Sequence, residues 1–257
     1  MRSVSGNLQN SCIVIVAYNA ESTIEWVLDR IDPTVARSVG AVLVSDDAST
    51  DRTAAAAERW AARNPDVRAV VAHHRTNRGY GGNQKYCYRW AMAAGYRSIV
   101  MIHGDGQYAP ELADAMLEPL RMAGAHAVFG SRFLTKGAAR KGGMPLYKFL
   151  GNRILTGFQN RMAGMRLSEW HTGYRAYSSD FLSRVDFDAL SDDFDFDTEI
   201  ILQLRNHGAS IVEIPIPTFY GDEVCHVNGM RYAADVVADV WRQRHRIDEA
   251  ALLEPAA

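Results

Sequence analysis

The sequence predicts an α/β fold in which a mostly parallel sheet is flanked by helices on both faces. Short apolar runs of strand length alternate with helix-length segments along the first half of the chain. In those longer segments, apolar residues recur at spacings of three and four, which is the period of an amphipathic helix. Polar or glycine-rich loops follow several of the apolar runs. We expect the 257 residues to form a single domain.

The strands are predicted from apolar runs too short to be helices. Residues 12–17 form an unbroken apolar run, as in a strand buried on both faces. Proline residues 215 and 217 end the last run. Strands are predicted over residues 12–17, 41–44, 67–72, 99–102, 127–129 and 211–214.

The helices are predicted from their apolar faces and end signals. In the first, Ile24, Val27, Leu28 and Ile31 lie on one face. Pro110 suits the first turn of another, where its missing N–H has no helical partner. Helices are predicted over residues 21–31, 51–63, 82–94, 110–122 and 232–246.

Composition excludes several classes of protein. A formal net charge of -2 argues against a general nucleic-acid binder, which usually carries a basic excess. Three widely spaced cysteines form no CxxC pair, which favours a reducing compartment. No signal peptide and no run of membrane-spanning length is visible, so we expect a cytoplasmic protein. Any contact with the inner face of the membrane would then be peripheral, and oligomeric state stays open.

One segment of the sequence favours peripheral contact with a membrane. Residues 144–165 place apolar side chains among Lys148, Arg153 and Arg161. A basic amphipathic helix can lie on an anionic membrane surface. The alternative is a helix packed on the domain, with its arginines in solvent or near bound phosphates.

Two loops that follow the first two strands carry polar side chains. Asp46 and Asp47 lie in the loop after the second strand and could accept hydrogen bonds from a base and a ribose. Because ligands bind at the carboxyl ends of parallel strands, this placement indicates a binding site. The alternative is that this loop only caps the following helix through Ser49, Thr50 or Asp51.

Two further loops indicate phosphate and metal binding. The segment 77–85 places three glycines before a helix, so that backbone N–H groups can approach a phosphate, and Lys85 could add charge. The segment lacks the GK[ST] signature of a Walker loop. The alternative is that its glycines only form a turn. Asp105 and Gln107 follow the fourth strand and suit a divalent cation that bridges a diphosphate, although a tight turn is the alternative.

Seven motifs in order resemble the family 2 glycosyltransferases of GT-A fold. The likeness is greatest to the polyprenyl-phosphate sugar synthases related to dolichol-phosphate mannose synthase, and it spans roughly residues 13–217. The motifs stand at residues 17–21, 46–51, 77–82, 103–107, 130–132, 172–175 and 213–215.

The resemblance implies a nucleotide-sugar donor bound in the half from about 10 to 135, with about 136–257 on the acceptor side. The first two loops would hold the nucleotide, the glycine loop would lie by the ribose and diphosphate, and Arg132 would contact the diphosphate or sugar. The residues expected to bind the donor are Ala17, Tyr18, Asn19, Glu21, Asp46, Asp47, Asn77, Gly79, Gly81, Gly82, Lys85, Gly104, Arg132 and Arg175.

The resemblance also implies a divalent metal, Mn²⁺ or Mg²⁺, bound through Asp105. His103 replaces the first aspartate of the family's motif, so Gln107 or another residue must complete the site. A histidine ligand would favour a transition ion such as Mn²⁺, although His103 could instead only hydrogen-bond nearby. We expect His226, in the polar segment 220–229, as a late metal ligand; a plain surface loop is the alternative.

Candidate catalytic bases are Glu169, Asp197 and Glu199. Glu169 stands where the family has an aspartate before its TGFR segment, and Glu199 resembles the glutamate of the family's acidic helix. The alternative for the acids at 195–199 is an acidic first helical turn that complements the helix dipole. A hydroxyl acceptor needs a base, whereas a phosphate acceptor is already anionic.

The sequence therefore predicts an inverting hexosyltransferase with a UDP-sugar donor, guanosine being the other base. A polyprenyl phosphate and a soluble hydroxyl compound are both open as acceptors. A sugar nucleotidyltransferase shares a similar fold, but residues 17–21 are not its usual glycine- and arginine-rich loop. A non-catalytic nucleotide-sugar binding module is the third possibility.

Overall fold

One seven-stranded sheet organises residues 7–218, which are the residues that the computed structural model describes. The strand order is β3-β2-β1-β4-β6-β5-β7. The strands are β1 (Ser11–Ala17), β2 (Ala41–Asp46), β3 (Ala69–His73), β4 (Ser98–His103), β5 (Ala127–Ser131), β6 (Arg175–Ser178) and β7 (Ile211–Pro215).

Most neighbouring strands are parallel, and only β6 runs antiparallel to its neighbours β4 and β5. β1 lies between β2 and β4, with Ala17 opposite Asp46 and Val16 opposite His103. The loops that leave β1, β2 and β4 therefore emerge side by side at one edge of the sheet.

Helices cover both faces of this sheet. They are α1 (Ile24–Asp29), α2 (Pro33–Ser38), α3 (Thr53–Arg63), α4 (Tyr80–Ala93), α5 (Ala113–Met122), α6 (Ala138–Lys141), α7 (Leu146–Ala163), α8 (Ser179–Leu182) and α9 (Phe196–Asn206). None of the helices within residues 7–218 is both long enough and apolar enough to cross a lipid bilayer.

The central strand contributes to two separate cores. Cys12 and Val14 of β1 pack with residues of α4 and α9, whereas Ile13 and Ile15 pack with residues of α1, α3 and α5. Because successive side chains of a strand point to opposite faces, an unbroken apolar run is needed here. The predicted α/β fold with a mostly parallel sheet is confirmed.

Several elements differ from their predictions. The helix expected over residues 21–31 is shorter, Ile24–Asp29, and a second helix, α2, begins at Pro33, where the Asp32 side chain accepts from the Thr34 amide at 2.7 Å. β6 was not expected, because its first residue is an arginine and it has only four residues. The helix predicted over residues 232–246 lies outside the described residues, and the single-domain assignment stays a prediction.

Candidate functional site

The loops after β1 and β2 are fastened to each other. Asn19, at a positive φ of 49°, donates its amide to Ser49 Oγ at 2.8 Å and accepts from the Thr50 amide at 2.9 Å. The Glu21 side chain accepts from the Arg52 amide at 3.1 Å. Hydrogen bonds therefore join the two loops into one unit at the carboxyl end of the sheet.

Of the residues predicted in the first loop, Tyr18 presents an aromatic side chain to solvent, with 51% of its surface exposed. The carbonyl of Ala17 accepts from the Asp47 amide at 2.9 Å. Since Asn19 and Glu21 use their side chains to join the loops, Tyr18 is the residue of this loop best placed to contact a ligand.

The two adjacent aspartates have different surroundings. Asp46 is fully buried; one of its oxygens accepts from Ser49, and the other lies 2.6 Å from Nδ1 of His73. Asp47 accepts from the Arg78 amide at 2.8 Å, and burial raises the pKa of its carboxyl group. Asp46 therefore holds the loop together, and Asp47 is the better candidate to contact a ligand.

The glycine loop is packed against the segment that precedes α9. The amides of Gly81 and Gly82 donate to the carbonyl of Asp192 at 2.7 and 3.1 Å. A Cβ atom at Gly79 would lie 2.5 Å from that same carbonyl oxygen, and one at Gly81 would lie 2.7 Å from Ser191 O. These glycines are required in this structure because residues 191–193 approach so closely.

Lys85 holds the same segment. Its ammonium group donates to the Leu190 carbonyl at 2.8 Å and lies 2.6 Å from Asp192 Oδ1. Asn77 is also used within the protein, since its amide donates to Asp47 O at 3.1 Å. Phosphate binding by this loop stays a prediction, since the amides of Gly81 and Gly82 and the Lys85 ammonium group have partners within the protein.

The end of β4 carries the predicted metal ligands. Asp105 accepts from the Gln107 amide at 3.0 Å through Oδ1, and its Oδ2 lies 3.9 Å from Nδ1 of His103. That distance is too long for a hydrogen bond. Gly104 joins the loop after β4 to β1, because its amide donates to Val16 O at 2.9 Å.

These two side chains fit a divalent cation as a pair. One nitrogen and one carboxylate oxygen face each other, and both side chains are partly accessible, 15% for His103 and 45% for Asp105. Within residues 7–218, no group of three or more His, Cys, Asp or Glu side chains is placed to hold a metal. A metal here would need further oxygen ligands, such as those of a diphosphate. The predicted ligand His226 lies outside the described residues.

His103 is enclosed by Gly173 of the motif at 172–175 and by two tyrosines that the sequence did not single out. Its Nε2 lies 3.0 Å from the hydroxyl of Tyr80, and Tyr108 contacts its ring edge-on at 5.0 Å. A Cβ atom at Gly173 would lie 2.5 Å from the His103 ring. Tyr80 was missed because the motif at 77–82 specifies the glycines around it and no residue at its own position.

Glu169 and Arg132 form a buried ion pair. Glu169 is fully buried and accepts from the amide of Arg132 at 2.8 Å and from its Nε at 2.9 Å, with a further contact to Nη2. Arg132 also donates to the carbonyl of His171 at 3.2 Å. Catalysis by Glu169 and donor contact by Arg132 stay predictions, and each would have to act from within this pair.

Asp197 joins the His103 cluster. Its Oδ2 accepts from the Tyr80 hydroxyl at 3.0 Å, and its Oδ1 accepts from Gln84 Nε2 at 3.2 Å. Glu199 lies elsewhere, where its carboxylate accepts from the Ser191 amide at 2.6 Å. Of the three predicted bases, Asp197 is therefore the one that the fold connects to the end of β4.

Arg175 supports this cluster from inside the protein. It is fully buried and donates to the carbonyls of Asp197, Thr172 and Trp170 at 2.6, 2.7 and 3.0 Å. Its guanidinium group therefore positions the chain around the site. Donor contact by Arg175 stays a prediction that this burial does not favour.

Comparison with known proteins identifies the family of the chain. The family model described as glycosyl transferase family 2 matches residues 12–185. The chain is 30% identical over 247 residues to a polyprenol monophosphomannose synthase of Mycolicibacterium smegmatis, covering 94% of this chain and 90% of the relative. It is 32% identical over 208 residues to an undecaprenyl-phosphate mannosyltransferase of Micrococcus luteus, covering 79% and 81%.

Solved structures share the fold at lower identity. Glucosyl-3-phosphoglycerate synthase of Mycobacterium tuberculosis, in complex with Mn²⁺, UDP and glucosyl-3-phosphoglycerate, is 20% identical with a TM-score of 0.65, covering 91% of this chain and 80% of that one. Mannosyl-3-phosphoglycerate synthase from Rubrobacter xylanophilus is 18% identical with a TM-score of 0.68, covering 96% and 76%. These likenesses concern the fold.

Proposed function

The chain belongs to glycosyl transferase family 2, and we propose that it transfers a hexose from a nucleotide-sugar donor to a polyprenyl phosphate. The observation that carries this proposal is the 30% identity to a polyprenol monophosphomannose synthase across nearly the whole of both chains. That likeness favours the lipid phosphate over a soluble hydroxyl acceptor. The names of the two mannosyl-transferring relatives make mannose the first candidate for the sugar.

The donor is proposed to bind where the loops after β1, β2 and β4 meet. Tyr18 is exposed there, and Asp47 directly follows the last residue of β2. Burial of Asp47 strengthens a hydrogen bond that its carboxyl group makes to a base or ribose. Uridine stays the predicted base, with guanosine as the other possibility.

Asp105 and His103 are the residues that would hold a divalent ion. The ion would supply positive charge that offsets the charge of the departing diphosphate. Asp105 contributes an oxygen ligand and His103 a nitrogen ligand, and the fold sets their separation at 3.9 Å.

The proposed reaction is a single displacement with inversion at the anomeric carbon. An oxygen of the acceptor phosphate forms a bond to that carbon while the bond from the carbon to the diphosphate oxygen breaks. A phosphate is already anionic near neutral pH, so no side chain has to remove a proton. A reaction without a base agrees with the hydrogen bonds that the Glu169, Asp197 and Glu199 carboxylates accept from other residues of the protein.

Peripheral contact with a membrane is proposed through α7. Leu146, Leu150 and Ile154 are spaced four residues apart on one helix face and are, with Tyr147, between 50% and 72% exposed. Residues 119–168 contain no acidic side chain. Nine basic residues fall in that stretch: Arg121, Arg132, Lys136, Arg140, Lys141, Lys148, Arg153, Arg161 and Arg166. Within α7 the charged residues are Lys148, Arg153 and Arg161, all basic, and a basic helix with exposed apolar side chains suits an anionic membrane that contains the lipid acceptor.

Replacing Ile154 with glutamate is expected to weaken binding to vesicles that contain phosphatidylglycerol by about tenfold or more. The variant removes an apolar side chain from the membrane-facing surface and adds a charge that the lipids repel. Co-sedimentation with vesicles measures the effect. Met122→Glu is the matched control, because Met122 is 50% exposed but lies at the end of α5. Equal weakening by both variants would contradict a specific role for α7.

Donor binding is tested by thermal shift with a panel of UDP- and GDP-sugars, with and without Mn²⁺. A ligand at about 100 times its Kd stabilises the native state by about 2.7 kcal/mol, so the correct donor should raise Tm by several degrees. Mn²⁺ is expected to increase that shift. If no nucleotide sugar raises Tm, the proposal fails, and pyrophosphate release would instead favour a nucleotidyltransferase.

A further inference from the structure

We propose that Tyr80 is a positioning residue that fixes the protonation pattern of the His103 ring, so that Nδ1 is the nitrogen offered beside Asp105. The inference rests on the proposed metal site, and it concerns how a histidine can work at a position where the family has a carboxylate. No motif assigns a role to Tyr80, which is the first residue of α4.

Three side chains are connected in a line. Nε2 of His103 lies 3.0 Å from the Tyr80 hydroxyl, and the Tyr80 hydroxyl donates to Asp197 Oδ2 at 3.0 Å. At the other end of the line, Nδ1 of His103 lies 3.9 Å from Asp105 Oδ2. The imidazole ring therefore lies between the phenol and the predicted metal ligand.

The direction of each hydrogen bond follows from the number of protons. A phenol has one proton, and here the Asp197 carboxyl group accepts it. The oxygen of Tyr80 can then only accept from His103, so Nε2 must carry a hydrogen. Of the two ring nitrogens, Nδ1 is therefore the one that can present a lone pair, and it faces Asp105.

Asp197 is held as an acceptor by its other neighbours. Its Oδ1 accepts from Gln84 at 3.2 Å and lies 3.6 Å from Nη1 of Arg175. Because Gln84 and Arg175 are both donors, the Asp197 carboxylate acts as an acceptor. It also accepts the hydrogen bond from the Tyr80 hydroxyl. Arg175 is fully buried, so this end of the line is fixed by the core.

The Tyr80 ring is equally constrained. Phe194 stacks on it at 5.0 Å with an interplanar angle of 23°, and the His103 ring meets it edge-on at 5.4 Å. The phenol therefore cannot turn away from His103 without disturbing its packing. Such partners behind a metal-binding histidine typically change metal affinity by 10- to 100-fold.

Nitrogen NMR on metal-free protein with isotope-labelled histidine tests this inference directly. In the wild type, His103 is expected to have a protonated Nε2 and an unprotonated Nδ1, and a His103→Gln variant identifies its signals. Tyr80→Phe keeps the ring but removes the acceptor oxygen, so a mixture of the two tautomers is expected. Tyr108→Phe is the control, because Tyr108 also contacts the His103 ring but its hydroxyl lies 2.7 Å from the Gly173 amide.

A second measurement follows, by electron paramagnetic resonance, Mn²⁺ binding in the presence of UDP or GDP, whose diphosphate can supply the further oxygen ligands. Tyr80→Phe is expected to weaken Mn²⁺ binding by about 10- to 100-fold, whereas Tyr108→Phe should leave it near the wild-type value. A wild-type His103 protonated at Nδ1 would overturn the proposal, and so would a Tyr80→Phe variant with unchanged tautomer and Mn²⁺ affinity. Neither readout uses a sugar donor or acceptor, so failure of the proposed transfer reaction would be seen separately.

Discussion

Arg132→Ala is expected to lower the free energy of unfolding by about 3–5 kcal/mol, a large effect for one arginine. The substitution leaves the fully buried Glu169 carboxylate without the guanidinium group that it contacts. The carboxylate keeps the hydrogen bond from the backbone amide of residue 132 but loses the opposite charge that compensates for its burial. Urea denaturation followed by circular dichroism measures the change.

The matched control is another arginine that pairs with a carboxylate. Arg184 contacts Asp180 at 2.5 Å, four residues earlier, and both side chains are well exposed, at 47% and 66%. Arg184→Ala should cost about 0.5 kcal/mol or less, because water screens such a pair. If Arg132→Ala cost no more than Arg184→Ala, the ion pair would not have the importance assigned to it.

A double variant separates the stability lost with the ion pair from the stability lost because Glu169 is left as a buried charge. Adding Glu169→Gln to Arg132→Ala removes the uncompensated carboxylate, so part of the lost stability should return. The single variant Glu169→Gln also tests the predicted base. Donor affinity and turnover near wild type would exclude Glu169 as the base, whereas a loss of about 10²-fold or more in turnover alone would favour a hydroxyl acceptor.

Asp105→Ala is expected to reduce turnover by about 10²- to 10³-fold, the usual effect of removing one group that stabilises developing charge. The fold should hardly change, because the Asp105 side chain is 45% exposed and makes one backbone hydrogen bond, to Gln107. We expect a loss of stability of about 1 kcal/mol at most. Initial rates at saturating donor, together with a denaturation curve, measure the two quantities.

Asp66→Ala is the control for this experiment. Asp66 is also exposed, but it lies between α3 and β3, at the opposite end of the parallel strands. Its replacement should leave turnover unchanged. Undiminished turnover of Asp105→Ala, or of the wild type in EDTA, would contradict the assignment of Asp105 to a metal.

The elements that could be predicted are those whose signal is local. The apolar run of β1 and the acidic end of β2 are each readable within a few residues, and their order implies a parallel sheet. That order also implies that Asp47 and Asp105 follow strands ending at one edge, which the register of β1 with β2 and β4 confirms.

The parts that could not be predicted depend on contacts between distant segments. Gly81 and Gly82 look like a phosphate loop, but their amides donate to Asp192, more than a hundred residues away in the chain. The pairing of Glu169 with Arg132 could not be predicted either, and the role of Glu169 as a base stays a prediction. Neither pairing follows a sequence period, because each arises only when the loop or strand end is placed in the fold.

The most direct test of sugar transfer is to incubate the protein with labelled UDP- and GDP-hexoses, Mn²⁺ and vesicles containing undecaprenyl phosphate. The label recovered in the organic phase is then counted. We predict a labelled polyprenyl-phosphate hexose from one donor, lost in EDTA and in Asp105→Ala. If no donor labelled the lipid while a soluble hydroxyl compound accepted the sugar, the proposed acceptor would be wrong. If no donor were consumed with either acceptor, the proposed sugar transfer itself would be contradicted.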